Sequence, residues 1–149
     1  VDPKFHNFWA YKRVSLFKPN LKEIRAQLPF AVQSERSSLN EAAAYIRGKL
    51  DNQYTLITLS EKGIFFDNGG RQQAIMPTLP RSIADVCGAG DTVFAVAGLG
   101  LSLGMDMEAI AQLSNLAGGQ VCEHLGVVPV NRTQLQQEYQ SLLQSGTLS

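Results

Sequence analysis

The sequence is short of cysteine, of net charge and of long apolar runs, and each shortage removes a class of protein. Two cysteines among 149 residues, Cys87 and Cys122, cannot build a disulfide framework, and neither stands at the close spacing of a zinc site. Both are expected to be free thiols. Thirteen acidic side chains balance thirteen basic ones, so there is no excess positive charge to track a phosphodiester backbone, and a nucleic-acid partner is not expected. No apolar run reaches the roughly 20 residues that a bilayer crossing needs, and no charged-then-apolar leader precedes the first element. The expectation is a cytoplasmic chain with no membrane partner. Histidine is scarce as well: His6 and His124 lie far apart without companion ligands and read as surface or packing residues. What is present, 44% hydrophobic residues over 149 positions, excludes a disordered tail and suffices for one compact domain over residues 1–149.

Periodicity along the chain alternates between strand and helix. Val14 to Phe17 reads as a short strand ending at Pro19, after which Asn20 can cap a helix with Leu21, Ile24 and Leu28 on one face. Ser38-Leu39-Asn40-Glu41 has the form of a capping box, and Leu39, Ala42, Ala43, Ile46 and Leu50 keep helical spacing to about Asp51. Tyr54 to Leu59 is apolar on both faces, as in a buried parallel strand, whereas Gly63–Phe66 and Gln73–Met76 flank the turn Asn68-Gly69-Gly70 as a hairpin. Thr92 to Leu103 carries no charge and predicts a helix buried all round, ended by Gly104. Asp106 can cap a further helix with Ile110, Leu113, Ala117 and Val121 on its apolar face. A last helix from about Arg132 should bury Leu135, Tyr139, Leu142 and Leu143. Strands alternating with helices imply an α/β layered sheet.

The segment richest in chemistry is Asp85-Val86-Cys87-Gly88-Ala89-Gly90-Asp91-Thr92, which opens directly into the uncharged helix. Its glycines permit a tight turn, and the first amides of the helix are free to donate to an anion. Phosphoryl transfer needs that combination, negative charge held and a hydroxyl deprotonated, with Asp91 as the base. The same residues also suit a plain glycine turn in which Asp91 caps the helix.

This wording closely resembles the C-terminal signature of ribokinase-like (PfkB) sugar kinases. Lys18-Pro19-Asn20-Leu21-Lys22-Glu23 is similar to that family's Asn-x-x-Glu motif, and Thr58-Leu59-Ser60-Glu61-Lys62-Gly63 falls where the family carries a nucleotide-contacting loop. Asn115-Leu116-Ala117-Gly118-Gly119 and Leu125-Gly126 match its closing helix and loop. Within the family the wording resembles the heptose 7-phosphate kinase branch, the kinase half of ADP-heptose synthases, on Val1-Asp2-Pro3-Lys4, on Ser60 where other branches usually place glycine, and on Asn115 with Leu125-Gly126.

The resemblance implies a ribokinase-like layered sheet flanked by helices, of which this chain is the C-terminal, nucleotide-binding half. A start at Val1 leads us to expect a fragment without the sugar pocket and the lid, inactive on its own. It implies Asp91 as catalytic base, an anion hole at Gly88, Ala89 and Gly90, and ATP as phosphoryl donor to a sugar phosphate, with a second copy of the chain as a candidate partner. Asn20, Leu21, Lys22, Glu23, Thr58, Ser60, Gly63 and Asn115 would contact the nucleotide, and Asn20 with Glu23 would hold Mg²⁺ largely through water. Asp85 would help hold K⁺ in those relatives that use a monovalent cation, although Cys87 stands where the family commonly has threonine. From the residues alone, Asn-x-x-Glu is also an ordinary capping box, the Thr58–Gly63 loop a plain strand connection, and Asn115 a core asparagine. The loops after Phe17, after Leu59 and before Thr92 are expected at the carboxyl ends of the strands, where open α/β sheets bind ligands.

The reaction implied is transfer of the γ-phosphate of ATP to a heptose 7-phosphate, giving the 1,7-bisphosphate. Another PfkB sugar or nucleoside kinase, or a nucleotide-binding module without catalysis, is the alternative.

Overall fold

The computed structural model describes residues 1–146. It divides into two compact units, Val1–Pro77 and Thr78–Ser149.

The first unit is built on a mixed four-stranded sheet in the order β1-β2-β3-β4: β1 (Leu16–Phe17), β2 (Tyr54–Thr58), β3 (Ile64–Asp67) and β4 (Gln73–Met76). β1 and β2 run parallel, pairing Leu16 with Tyr54, and the other two pairings are antiparallel. The crossover from β1 to β2 carries α1 (Leu21–Gln27) and α2 (Arg36–Leu50). The sequence predicts β2, β3 and β4 well, because all three carry β-branched or aromatic residues bounded by turn residues. β1 is shorter than expected: Val14 and Ser15 accept backbone bonds from Gln53 and Tyr54 without strand geometry.

The start of α2 differs from the expected capping box. The helix begins at Arg36 after Glu35, which makes no side-chain cap, and the Ser38 hydroxyl instead accepts from the Gln33 amide at 2.8 Å. A serine oxygen can bond either way along the chain, and the Gln33 loop claims it. The expected apolar face holds: Leu39, Ala42, Ala43, Ile46 and Leu50 are buried with Phe8, Phe17, Ile24, Ile57 and Phe65 in one cluster. Asp67, itself buried, orders the hairpin turn by accepting from the Gly70 amide and the Gln73 side chain and by pairing with Arg47. Lys18 is buried against Asp2 at 3.5 Å, and Lys4 stays exposed.

The second unit is helical: α3 (Ala89–Ser102), α4 (Met107–Val121) and α5 (Arg132–Gln144). Gly104 takes φ 73° at the end of α3, and the Asp106 side chain accepts from the Ala109 amide at 2.8 Å to cap α4, both as expected. Asn131 caps α5 through the Gln134 amide, and its backbone is held in turn by two bonds with the Gln120 side chain. α3 packs closely on α4, where the space beside Gly118 is filled by Val93.

Three burial expectations are corrected. α3 is not buried all round: Val93, Ala97 and Gly100 are buried, whereas Leu99 is 63% exposed and Phe94 and Leu103 are also exposed. An uncharged sequence shows what a helix tolerates, while only packing decides which face is covered. In α4 the buried face takes in Gln112, Ser114, Asn115 and Gln120, while Leu113 is half-buried. In α5 only Leu142 is buried; Leu135 and Tyr139 are half-buried and Leu143 is exposed. Both cysteines are free thiols, Cys87 exposed and Cys122 buried, and burial pushes the Cys122 thiol pKa up. His6 and His124 are exposed.

Candidate active site

In the first unit the carboxyl ends of β1 and β2 bring Asn20 and Thr58 together as a parallel bridge, with the Thr58 amide donating to the Pro19 carbonyl at 3.2 Å. Asn20 then starts α1 in a complete capping box: its Oδ1 accepts from the Glu23 amide at 2.8 Å, and Glu23 Oε2 accepts from the Asn20 amide at 2.8 Å. The pair is therefore a cap, stabilising the helix by about 1 kcal/mol. Each side chain has already committed one oxygen, so a hard cation that keeps its waters fits here better than one held directly. No group of three or more His, Cys, Asp or Glu side chains able to hold a metal occurs among the described residues. Leu21 is half-buried and Lys22 exposed on the same helix.

The loop after β2 turns through Ser60–Lys62, a single 3₁₀ turn. Ser60 has φ 56°, a left-handed conformation that glycine adopts freely and serine only at a cost of about 1 kcal/mol. Gly63 has φ 101° and is buried, and a Cβ there would lie 1.9 Å from the Met76 carbonyl oxygen. Close packing on β4 thus requires this glycine. The expectation that it admits a nucleotide is not needed to explain it.

The second unit gathers Asp85, Gly88, Ala89, Gly90 and Asp91 in one turn. Asp85 Oδ1 accepts from the Cys87 amide at 3.0 Å and Oδ2 from the Gly126 amide at 2.9 Å, which clasps the turn to the loop after α4. These two amides, Gly126 first, hold the Asp85 pKa below the usual carboxylate range. Gly88 takes φ 77° and delivers the chain into α3 three residues before the expected start, so Ala89, Gly90 and Asp91 form its first turn. The Ala89 amide makes a long bond to Val86 at 3.3 Å and the Thr92 amide bonds Gly88 at 3.0 Å. Between them, the Gly90 and Asp91 amides have no acceptor among the described residues. The Asp91 carboxylate is exposed and makes no hydrogen bond or ion pair there either. Two free donors at the positive end of a helix beside a free carboxylate can hold an anion and accept a proton at one place.

Asn115 lies in the buried polar row of α4 at 9% exposure, so the core reading describes its surroundings. One feature escaped the sequence. Arg81, with its side chain only 4% exposed, pairs with Glu123 and with Glu138, the latter through both guanidinium nitrogens at 2.8 and 2.9 Å. Burial would lower its pKa, but the hydrogen bonds and charges of Glu138 and Glu123 outweigh burial and hold it above the ordinary value. The three residues stand 42 and 57 positions apart, and no local pattern links them.

Known structures share this fold. Phosphofructokinase-2 from Escherichia coli in complex with substrates and products superposes with TM-score 0.85 at 20% identity, over 96% of this chain and 47% of that one. Arabidopsis thaliana ribokinase complexed with ribose and ATP gives 0.76 at 18% identity, over 93% and 44%. The fold is therefore the α/β fold of ribokinase-like kinases, present as a partial domain. The pfkB family of carbohydrate kinases matches residues 7–134, and the chain belongs to it. Among curated relatives it is 36% identical over 137 residues to the bifunctional protein HldE of Syntrophotalea carbinolica and 37% identical over 135 residues to that of Alcanivorax borkumensis. These matches cover 91% of this chain and 27–28% of the relatives' length.

Proposed function

We propose that this chain is the nucleotide-binding part of an ATP-dependent sugar kinase whose acceptor is a heptose 7-phosphate. The observation that carries the reading is the turn entering α3, where the Gly90 and Asp91 amides and the Asp91 carboxylate have no partner among the described residues. Unsatisfied donors at a helix N-terminus suit the γ-phosphate, and an adjacent free carboxylate suits the hydroxyl that attacks it.

In the reaction proposed, Asp91 takes the proton of the sugar hydroxyl as its oxygen bonds to the γ-phosphorus. The bond from that phosphorus to the bridging oxygen breaks, and ADP leaves with the electron pair. Gly88 sets the turn, and the amides of Ala89, Gly90 and Asp91 receive the charge building on the phosphoryl oxygens. Asn20, Leu21, Lys22, Glu23, Thr58, Ser60, Gly63 and Asn115 take the nucleotide in this reading. Mg²⁺ supplies charge neutralisation of the phosphates, and Asn20 and Glu23 would hold it through water. The clasp to Gly126 already accounts for Asp85, so K⁺ enters on family likeness alone. The heptose acceptor is supported by the identity to HldE proteins. The sugar pocket is assigned to sequence outside residues 1–149, which makes this chain one part of a longer kinase domain.

The test is a coupled ADP-release assay on the kinase carrying this chain, with heptose 7-phosphate, fructose 6-phosphate, ribose and a nucleoside as acceptors. Turnover preferring the heptose supports the assignment. Preference for another acceptor moves the enzyme to another branch of the family, and absence of turnover with ATP binding intact leaves a binding module.

A further inference from the structure

We infer that Arg81 is a positioning residue for the anion-binding turn: its ion triad with the half-buried Glu123 and Glu138 fixes the register in which the segment before the turn lies on the loop after α4. The inference rests on the function proposed above for that turn. Its geometry is continuous. Arg81 is held at one end of the segment by Glu123, which follows α4, and by Glu138 of α5, and a further bond reaches the Leu116 carbonyl at 3.4 Å. Three residues on, the Ala84 and Asp85 amides both donate to the Cys122 carbonyl, at 2.8 and 3.2 Å. The Asp85 carboxylate then takes the Gly126 and Cys87 amides, and Gly88 follows. Segments 81–85 and 122–126 are thus fastened at each end and in the middle. Gly119 belongs to the same device, because a Cβ there would lie 2.6 Å from Arg81 Nε.

A buried ion network is weak evidence for stability, since desolvation offsets much of its attraction, but its directional fork fixes one register among several. Arg81 sets both terminal nitrogens on Glu138 and shares Nη1 with Glu123, a geometry that a lysine ammonium cannot match.

Hydrogen–deuterium exchange on the full chain, with calorimetric titration by MgATP, tests this. Three variants are compared with wild type: Arg81→Lys, Arg81→Met, and Arg81→Met combined with Glu123→Gln and Glu138→Gln, which leaves no unpaired buried charge. In all three, the Ala84, Asp85 and Gly126 amides should exchange faster, on the order of tenfold in the triple variant, while amides at the centre of α4 keep their rates. MgATP affinity should fall in parallel. Unchanged exchange at the turn in the triple variant overturns the inference, and so does uniform acceleration or misfolding across α3, α4 and α5, which marks a purely stabilising role. Failure of the wild-type chain to bind ATP counts against the proposed function, while the exchange pattern still decides the positioning role.

Discussion

The two places where the sequence resembles a nucleotide site differ in what their residues are already doing. At the end of β1 and β2, Asn20 and Glu23 cap each other and Gly63 makes room for the Met76 carbonyl. At the start of α3, the glycine turn ends in two amides and a carboxylate with nothing to bond among the described residues. A residue whose bonding capacity is used locally is explained by folding, whereas exposed amides and a carboxylate left to water at a helix N-terminus are open to a ligand. The difference ranks the turn above the capping box as the centre of the chemistry, although both carry motif residues.

The largest effect expected on that comparison comes from Asp91→Asn in the kinase carrying this chain. Removing the base should lower kcat on the order of 10²- to 10⁴-fold with little change in ATP affinity, because asparagine keeps the turn but cannot take a proton. Steady-state kinetics give both numbers, and unchanged kcat would remove Asp91 from the reaction. Next in size is Gly63→Ala, which forces a side chain against the Met76 backbone at φ 101° and should cost about 3 kcal/mol in a urea melt. A stable variant would show that β4 yields and that the glycine serves something other than packing.

The smallest effect belongs to Asn20, and it separates cap from ligand. Asn20→Ala should cost about 1 kcal/mol of stability, whereas Asn20→Ser should recover most of it because serine also caps. If MgATP affinity, measured by calorimetry, falls equally in both variants, Asn20 meets the nucleotide besides capping α1. If it falls only with stability, the capping box is the whole of its role.

Local chemistry made much of this structure legible. The hairpin β3–β4, the caps at Asn20 and Asp106 and the αL glycine ending α3 follow from side-chain type and spacing within a few residues, which is the range over which those interactions act. Gly88 and Asp91 were visible for the same reason. The rest was set by contacts distant in sequence. Ser38 satisfies Gln33 rather than its own helix, α3 leaves Leu99 and Leu103 exposed despite an uncharged sequence, and Arg81 finds its carboxylates in a loop and a helix far downstream. Local pattern showed where an anion could bind, while the device that holds the turn in place appeared only once distant segments were packed together.

The most direct measurement is an amide-resolved NMR titration of the chain with ATP, with and without Mg²⁺. The account predicts saturable shifts centred on the Gly90 and Asp91 amides and extending to Ala89, with the exposed face of α5 unaffected. A folded chain in which ATP moves other amides and leaves Gly90 and Asp91 in place would contradict the claim that the turn entering α3 holds the phosphate.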